Sequence, residues 1–533
     1  MSLNKIMPWY ACGLLLVAGL LSLVIRIPFP VDETRYLSVA WEMWHNGDFI
    51  LPTINGEPYS HKPPLLFWLM HAGWALFGVN EYWPRLISMF AGLASLPLVS
   101  AIAGFFWPDR PRIRASAPLI LASFLTWLLY STAIMFDILL GFFTLAAVVA
   151  ALKAYQHPSL KWFLLCGAML GGGLLTKGPV ILLDALPVLL LMPLWRPAAD
   201  HCGLRRWYVG ILIAVVIGAL IMLAWVYPAV QRGGPAFENA LIWKQTTGRV
   251  VNSFAHAHPW YWYLLLLPVM LLPWGILFWE KAWRGRIWQD AGERFCVLWF
   301  GVTLLAFSLI SGKQVHYLIP AMPAVALWLA RRFDERPLQR ISLVLLGGLS
   351  ILIGVALMLA PEWCRQIGGS YPACEDSSRL GGVLPLLLGL LLLVRSDAGE
   401  QVRLRLIGTF PVVLILSVLI SFASILQRQD VRPIALAIRN LQEQGITVAH
   451  VDKYHNQYQF AGRLEAPLEI LSDDELWQWA SEHPEAYLLI YQERDDESVM
   501  VDFARNVFPY RGERVLVLSA SDWLRYKRAN PGL

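Results

Sequence analysis

The chain is short of charge. Only 15% of its 533 residues are Asp, Glu, Lys or Arg, against roughly 25% in soluble domains. Together with an apolar share of 57%, this excludes a chain made only of soluble domains. It has six cysteines and no CxxC pair, which excludes metal or redox motifs of that spacing. It has no visible internal repeat, which counts against a transporter built from duplicated halves, and no low-complexity tract. No clear small-residue cleavage site precedes Arg26, so the first apolar run, near Pro8 to Ile25, reads as a retained span and not a removed signal peptide. The net charge of +5 is largely accounted for by membrane orientation, and no nucleic-acid partner is expected.

What is abundant is apolar sequence in runs near 20 residues, each long enough for a hydrocarbon layer of roughly 30 Å. Basic clusters at Arg110, Arg112 and Arg114, at Lys153 and Lys161, at Arg196, Arg205 and Arg206, at Lys281, Arg284 and Arg286, at Arg331, Arg332, Arg336 and Arg340, and at Arg395, Arg403 and Arg405 mark inner loops. Each pair of neighbouring clusters leaves room for a helical hairpin. The expectation is a polytopic α-helical membrane protein of about thirteen spans, with its N-terminus inside and its C-terminus outside. After the first span these fall near 83–106, 117–136, 138–153, 162–176, 179–195, 207–229, 260–279, 295–311, 315–331, 340–360, 381–395 and 406–426.

Two regions should not span. Residues 28–82 form a first outer loop with two helical stretches lying flat on the surface, one placing Tyr36, Leu37, Ala40, Trp41 and Trp44 on one face and one from Pro64 to Phe77. From residue 427 charge becomes dense. Strand-like runs at 447–451, 487–491 and 515–519 alternate with helical patterns at 434–444, 473–482 and 498–507, which reads as a soluble α/β domain over 427–533 behind a membrane domain over 1–426. Cys364 and Cys374 share an outer loop, where either a disulfide or two free thiols is open.

The polar clusters gather at outer loops and span ends: Asp32 to Tyr36, Tyr59 to Pro64, Asp137, Thr176 to Pro179, His256 to His258, and Ser311 to Tyr317. Asp32 and Glu33 could cap a helix, and Asp137 could be a solvated turn; in one cavity, an acid could accept a proton from an attacking hydroxyl. Arg35 could pair with Asp32 one turn away, and Lys62, Lys177 and Lys313 could each be an interfacial anchor. Gathered at one depth, these four cations could neutralise a phosphodiester whose lipid tail stays in the bilayer, with phosphate as the leaving group. His61, His256 and His258 could ligate zinc if the fold joins them, although a metal-free pair of loop histidines explains the latter two as well. Asp184, inside a span and seven residues from Lys177, is expected to share its helix face and make a buried polar contact.

At these motifs the chain resembles the GT-C membrane glycosyltransferases, particularly the bacterial aminoarabinose transferases acting on lipid A and the related protein O-mannosyltransferase-like family. The resemblance rests on Asp32-Glu33-Thr34-Arg35-Tyr36, Lys62-Pro63-Pro64, Asp137, Leu175 to Pro179, and Lys313 to Pro320, in that order over roughly residues 8–335. It implies an inverting glycosyltransferase using an undecaprenyl-phosphate sugar, at the periplasmic face of a bacterial inner membrane. Asp32, Asp137 and Glu33 are then the candidate catalytic acids, with Asp32 favoured as base. Lys62, Arg35, Lys177 and Lys313 would hold the donor phosphate, and Tyr59, Tyr317 and His316 would line the donor cavity. His61 stands where aminoarabinose transferases carry a glutamate. The acceptor could be lipid A, another envelope glycolipid or a protein; no cofactor is required, with zinc at the histidines the exception left open. The rival of another class is a transporter or lipid flippase.

Overall fold

The computed structural model describes residues 3–197, 202–242, 257–279, 287–336, 338–367, 376–452, 454–493 and 499–530. The first nine helices are α1 (Leu3–Ile25), α2 (Asp32–Asn46), α3 (Leu65–Phe77), α4 (Tyr82–Phe106), α5 (Pro111–Ala122), α6 (Leu125–Ser131), α7 (Phe136–Gln156), α8 (Leu160–Lys177) and α9 (Val180–Leu190). Contacts divide the chain into two units. One holds residues 1–25, 60–360 and 378–421; the other holds 26–59, 361–377 and 422–533.

The first unit is a helical bundle. Among the described residues seven helices are long and apolar enough to cross a membrane, and an eighth crossing is available if the α5–α6 pair, bent by 64°, counts as one. Large apolar side chains stand exposed along the helix Leu204–Asn239, including Leu212, Leu220 and Leu223. Such a surface is disfavoured in water and natural in lipid. The expected spans are not all continuous helices. The stretch near 179–195 contains α9, only 11 residues long, and the stretch near 260–279 opens with a 9-residue helix, Trp262–Met270, followed by a separate 3₁₀ turn at Trp274–Trp279. Both short helices contain a proline, Pro187 and Pro268, which removes a backbone donor and clashes with the preceding turn. The expected 315–331 span is likewise a 3₁₀ segment, Val315–Ala321, leading into the helix Met322–Glu335.

The second unit joins α2 and the hairpin β1 (Thr53–Ile54) and β2 (Glu57–Pro58) to the C-terminal α/β sequence. Its sheet contains β3 (Val448–Val451), β4 (Glu469–Leu471), β5 (Tyr487–Glu493), β6 (Asn506–Tyr510) and β7 (Glu513–Ser519) in the order β4-β3-β5-β7-β6. β3 runs parallel to β4 and β5, while β5–β7 and β6–β7 are antiparallel. Apolar clusters cover both faces, one around Ile434, Ile438 and Val515 and the other around Leu476, Leu488 and Trp523. The helix expected over 498–507 is instead a 3₁₀ turn at Val499–Phe503 followed by β6; ladder pairing with β7 outweighs the local helical spacing. Cys364 is disulfide-bonded, and Cys374 lies outside the described residues.

His450 sits at the end of β3 with 2% of its surface exposed, its ring against Tyr454 and Tyr491. Burial holds its pKa down from 6.5 to about 4. Unfolding would release it to bind a proton, so the unfolded state gains protons between those values and stability falls as pH drops through that window. The full loss is about 3 kcal/mol. Urea titration followed by hydrogen exchange over residues 446–458, corrected for intrinsic rates, should show this loss from pH 7 to pH 4. His450→Phe should flatten the dependence, and an equally steep variant would assign it elsewhere.

Candidate functional site

In the bundle, the site grows from the ends of three segments. α8 stops at Lys177 because Gly178 follows with φ 71°, a left-handed value that favours glycine. α7 begins at Phe136 after an extended Met135, which puts Asp137 in its first turn, where a carboxylate suits the helix dipole. The 3₁₀ segment Val315–Ala321 brings in His316 and Tyr317. Lys177 Nζ donates a short hydrogen bond to Asp137 Oδ1, and both side chains are buried. The same ammonium lies 4.7 Å from the centroid of the Tyr317 ring. His316, Lys177 and Lys62 are the cationic or ionisable basic groups acting on Asp137. Lys62 Nζ is 5.8 Å from the Phe136 ring centroid, and the His316 ring is 5.7 Å from that of Tyr130. A buried ion pair is a weak source of stability, because desolvation offsets most of its attraction. Two lysines and a histidine gathered around one carboxylate are better suited to receiving an anion.

Asp32, Arg35, Tyr36 and Tyr59 belong to the second unit. Asp32 Oδ1 accepts a short bond from Arg35 and a long one, 3.5 Å, from the Tyr36 hydroxyl. Arg35 also interacts electrostatically with Tyr59, which is buried at 6% exposure, while half the Asp32 side chain is exposed.

Several expected roles change. Glu33 is buried and holds Arg26 through two bonds of 2.5 and 3.0 Å, and its Oε2 accepts the Phe29 N–H at 2.6 Å. It anchors the start of α2, with both carboxylate oxygens engaged there. Lys313 is also buried, and its ammonium donates to the carbonyls of His258 at 2.8 Å, Ile310 at 2.5 Å and Ser311 at 3.5 Å. An ammonium has three donors, so in this structure Lys313 staples its own loop. Lys313→Met should therefore lower the melting temperature, and an unchanged melting temperature would show that these bonds do not hold the loop. Asp184 does not share a helix with Lys177, because the Gly178 break places it in α9. Its carboxylate is fully buried and has no hydrogen-bond partner among the described residues, though Lys177 and Asp137 act on it electrostatically.

His61 and His258 are both exposed, and the His258 ring stacks on Trp262 at 4.4 Å; His256 lies outside the described residues. Among the described residues no three His, Cys, Asp or Glu side chains gather as a metal site would require, so those present do not form the expected zinc set. Tyr130, Phe136 and Arg26 were not singled out from sequence. Tyr130 and Phe136 look like ordinary members of an apolar run until the fold sets them beside His316 and Lys62, whereas Arg26, seven residues before Glu33, was visible as a candidate partner.

A family model described as dolichyl-phosphate-mannose-protein mannosyltransferase matches residues 23–232. An undecaprenyl phosphate-α-4-amino-4-deoxy-L-arabinose arabinosyl transferase of Erwinia tasmaniensis is 30% identical over 388 residues, covering 69% of this chain and 68% of that one. The chain belongs to this arabinosyl transferase family. A second arabinosyl transferase, from Pseudomonas fluorescens, is 33% identical over 309 residues, or 56% of this chain and 52% of that one. The matched stretches thus span about half to two thirds of these relatives' length. The crystal structure of ArnT from Cupriavidus metallidurans bound to undecaprenyl phosphate superposes with a TM-score of 0.76 at 19% identity, covering 97% of this chain and 98% of that one. At that identity the likeness establishes the GT-C fold. The arabinosyl transferase family and this fold, with the seven apolar helices, make the chain a multi-pass membrane protein.

Proposed function

We propose that the chain transfers a sugar from an undecaprenyl-phosphate carrier to an envelope acceptor, lipid A or another glycolipid, at the periplasmic face of the inner membrane. The observation that carries this reading is the cluster of Lys177, Lys62 and His316 around the buried Asp137. A lipid phosphodiester entering this cluster would compete with Asp137 for Lys177. As the anomeric C–O bond breaks, the carrier phosphate gains negative charge, and fixed cations stabilise that charge more than they stabilise the bound diester. The acceptor oxygen forms the new bond with inversion; when it is a hydroxyl, a general base takes its proton, the role that the sequence resemblance gives to Asp32. The carrier leaves as the phosphate monoester. No step is routed through a metal.

The names of the relatives support the donor, since those proteins are described as undecaprenyl phosphate-aminoarabinose arabinosyl transferases. The finer topology belongs to the same proposal: about thirteen crossings, inner loops at the basic clusters, and a periplasmic domain over 427–533. Purified protein given undecaprenyl-phosphate aminoarabinose and lipid A should yield lipid A heavier by one aminoarabinose in mass spectra. The protein mannosyltransferase match favours one second reading, a protein acceptor; glycopeptides lost from a deletion strain whose lipid A is unchanged would select it.

A further inference from the structure

The C-terminal α/β sequence grips the helix that carries Asp32 and Arg35. On α2, Trp41 Nε1 donates to the Leu464 carbonyl at 2.9 Å, and buried Ser38 accepts the Phe460 N–H through its hydroxyl oxygen at 3.3 Å. The Arg463 guanidinium lies 5.4 Å from the Trp41 ring centroid. A second grip is made through the β1–β2 hairpin. Its turn residues, Asn55 and Gly56, have φ of 54° and 80°, the pattern of a type I′ turn that favours Asn-Gly. Asn55 uses its whole amide on one strand entry: Nδ2 donates to the Leu468 carbonyl at 2.9 Å and Oδ1 accepts the Leu468 N–H at 2.8 Å. Oδ1 also accepts Gln459 Nε2 at 3.0 Å. The hairpin returns to α2 through Glu42, whose Oε1 accepts the Gly56 N–H at 3.0 Å.

We propose that the C-terminal α/β domain is a bracket setting the position of α2, with Asn55, Trp41 and Ser38 as positioning residues for Asp32 and Arg35. This rests on the reading of Asp32 and Arg35 as working residues given above. α2 is a single 15-residue helix, and isolated helices of that length are marginal in water. Arg26 and Glu33 hold its start, while the bracket holds its middle and, through the hairpin, Glu42. The domain is thus part of the reaction's geometry, whatever it does for the acceptor. Both halves of the Asn55 amide are used, and the turn needs positive φ there, so few other residues meet both demands.

The test uses the full-length protein with undecaprenyl-phosphate aminoarabinose and lipid A, at a temperature where circular dichroism shows each variant folded. Asn55→Gly keeps the turn and removes the clamp; Asn55→Asp keeps the acceptors and loses the donor; Trp41→Phe removes the other grip without touching the turn. Small misplacement of reacting groups costs up to roughly 100-fold in rate, so kcat should fall about 10- to 100-fold in Asn55→Gly and Trp41→Phe, with Asn55→Asp between Asn55→Gly and wild type. The Kd for undecaprenyl phosphate should weaken by a smaller factor than kcat falls, since Arg35 shifts with α2 while the bundle cations are untouched; a domain that only stabilised the fold would leave kcat of the folded variants alone. Wild-type kcat in both Asn55→Gly and Trp41→Phe overturns the proposal, and Trp41→Phe decides alone if Asn55→Gly does not fold. Asp32→Asn is run alongside with a hydroxyl and a phosphate acceptor: wild-type turnover on both sinks the Asp32 reading and takes this proposal with it, whereas an inactive Asp32→Asn beside fully active clamp variants sinks this proposal only.

Discussion

Lys177→Met is expected to abolish sugar transfer and to weaken the fold, by about 3 kcal/mol or somewhat more. Asp137 is 1% exposed and Lys177 is its direct ion-pair partner. Removing one member of a buried pair leaves the other charged without compensation and costs about 3–5 kcal/mol. His316 and Lys62 still act on Asp137, which places the loss near the lower end. The double variant Lys177→Met/Asp137→Leu should recover most of the stability, since replacing both partners by apolar groups is often neutral, but none of the transfer. Chemical denaturation and product mass spectrometry on the four proteins of this cycle separate the two effects. Transfer restored in the double variant would show that the pair serves the fold alone.

Asp32→Asn is the second large effect. With a hydroxyl acceptor, loss of a general base costs about 10²–10⁴ in rate, and asparagine keeps an acceptor for Arg35 and Tyr36, so donor binding should persist. A phosphate acceptor is already ionised and needs no base, so with it the loss should be smaller. The ratio of the two losses therefore reports the acceptor chemistry. Turnover within about tenfold of wild type on both acceptors removes Asp32 from proton transfer.

The membrane bundle was legible because apolar runs and basic loops report a partition between lipid and water, which no tertiary detail can reverse. The ends of the helices Val180–Leu190 and Trp262–Met270 were harder, since an apolar run looks the same whether or not its helix is continuous. In the C-terminal region β3 falls within its expected run, and β5 and β7 cover theirs and run two residues further, because buried strands are largely apolar. β4 has three residues and β6 contains Pro509, so neither carried a readable alternation. The members of the site were legible as residue types at span ends, but their division of labour was not. Lys313 and Lys177 look alike in sequence, each at the edge of an apolar run. Only the fold shows one ammonium spent on three carbonyls and the other on a buried carboxylate. Glu33 looked as available as Asp32 until Arg26 came back to meet it.

The measurement that bears most directly on the phosphate site is undecaprenyl-phosphate binding by native mass spectrometry, comparing wild type with Lys62→Ala. Lys62 acts on Asp137, whose buried ion pair is with Lys177, and the comparison is made under conditions where circular dichroism shows both proteins folded. A charge-assisted bond contributes about 1.5–3 kcal/mol, which predicts a roughly 10- to 100-fold weaker Kd. Wild-type affinity in folded Lys62→Ala would contradict the cluster as the place where the carrier's phosphate is held.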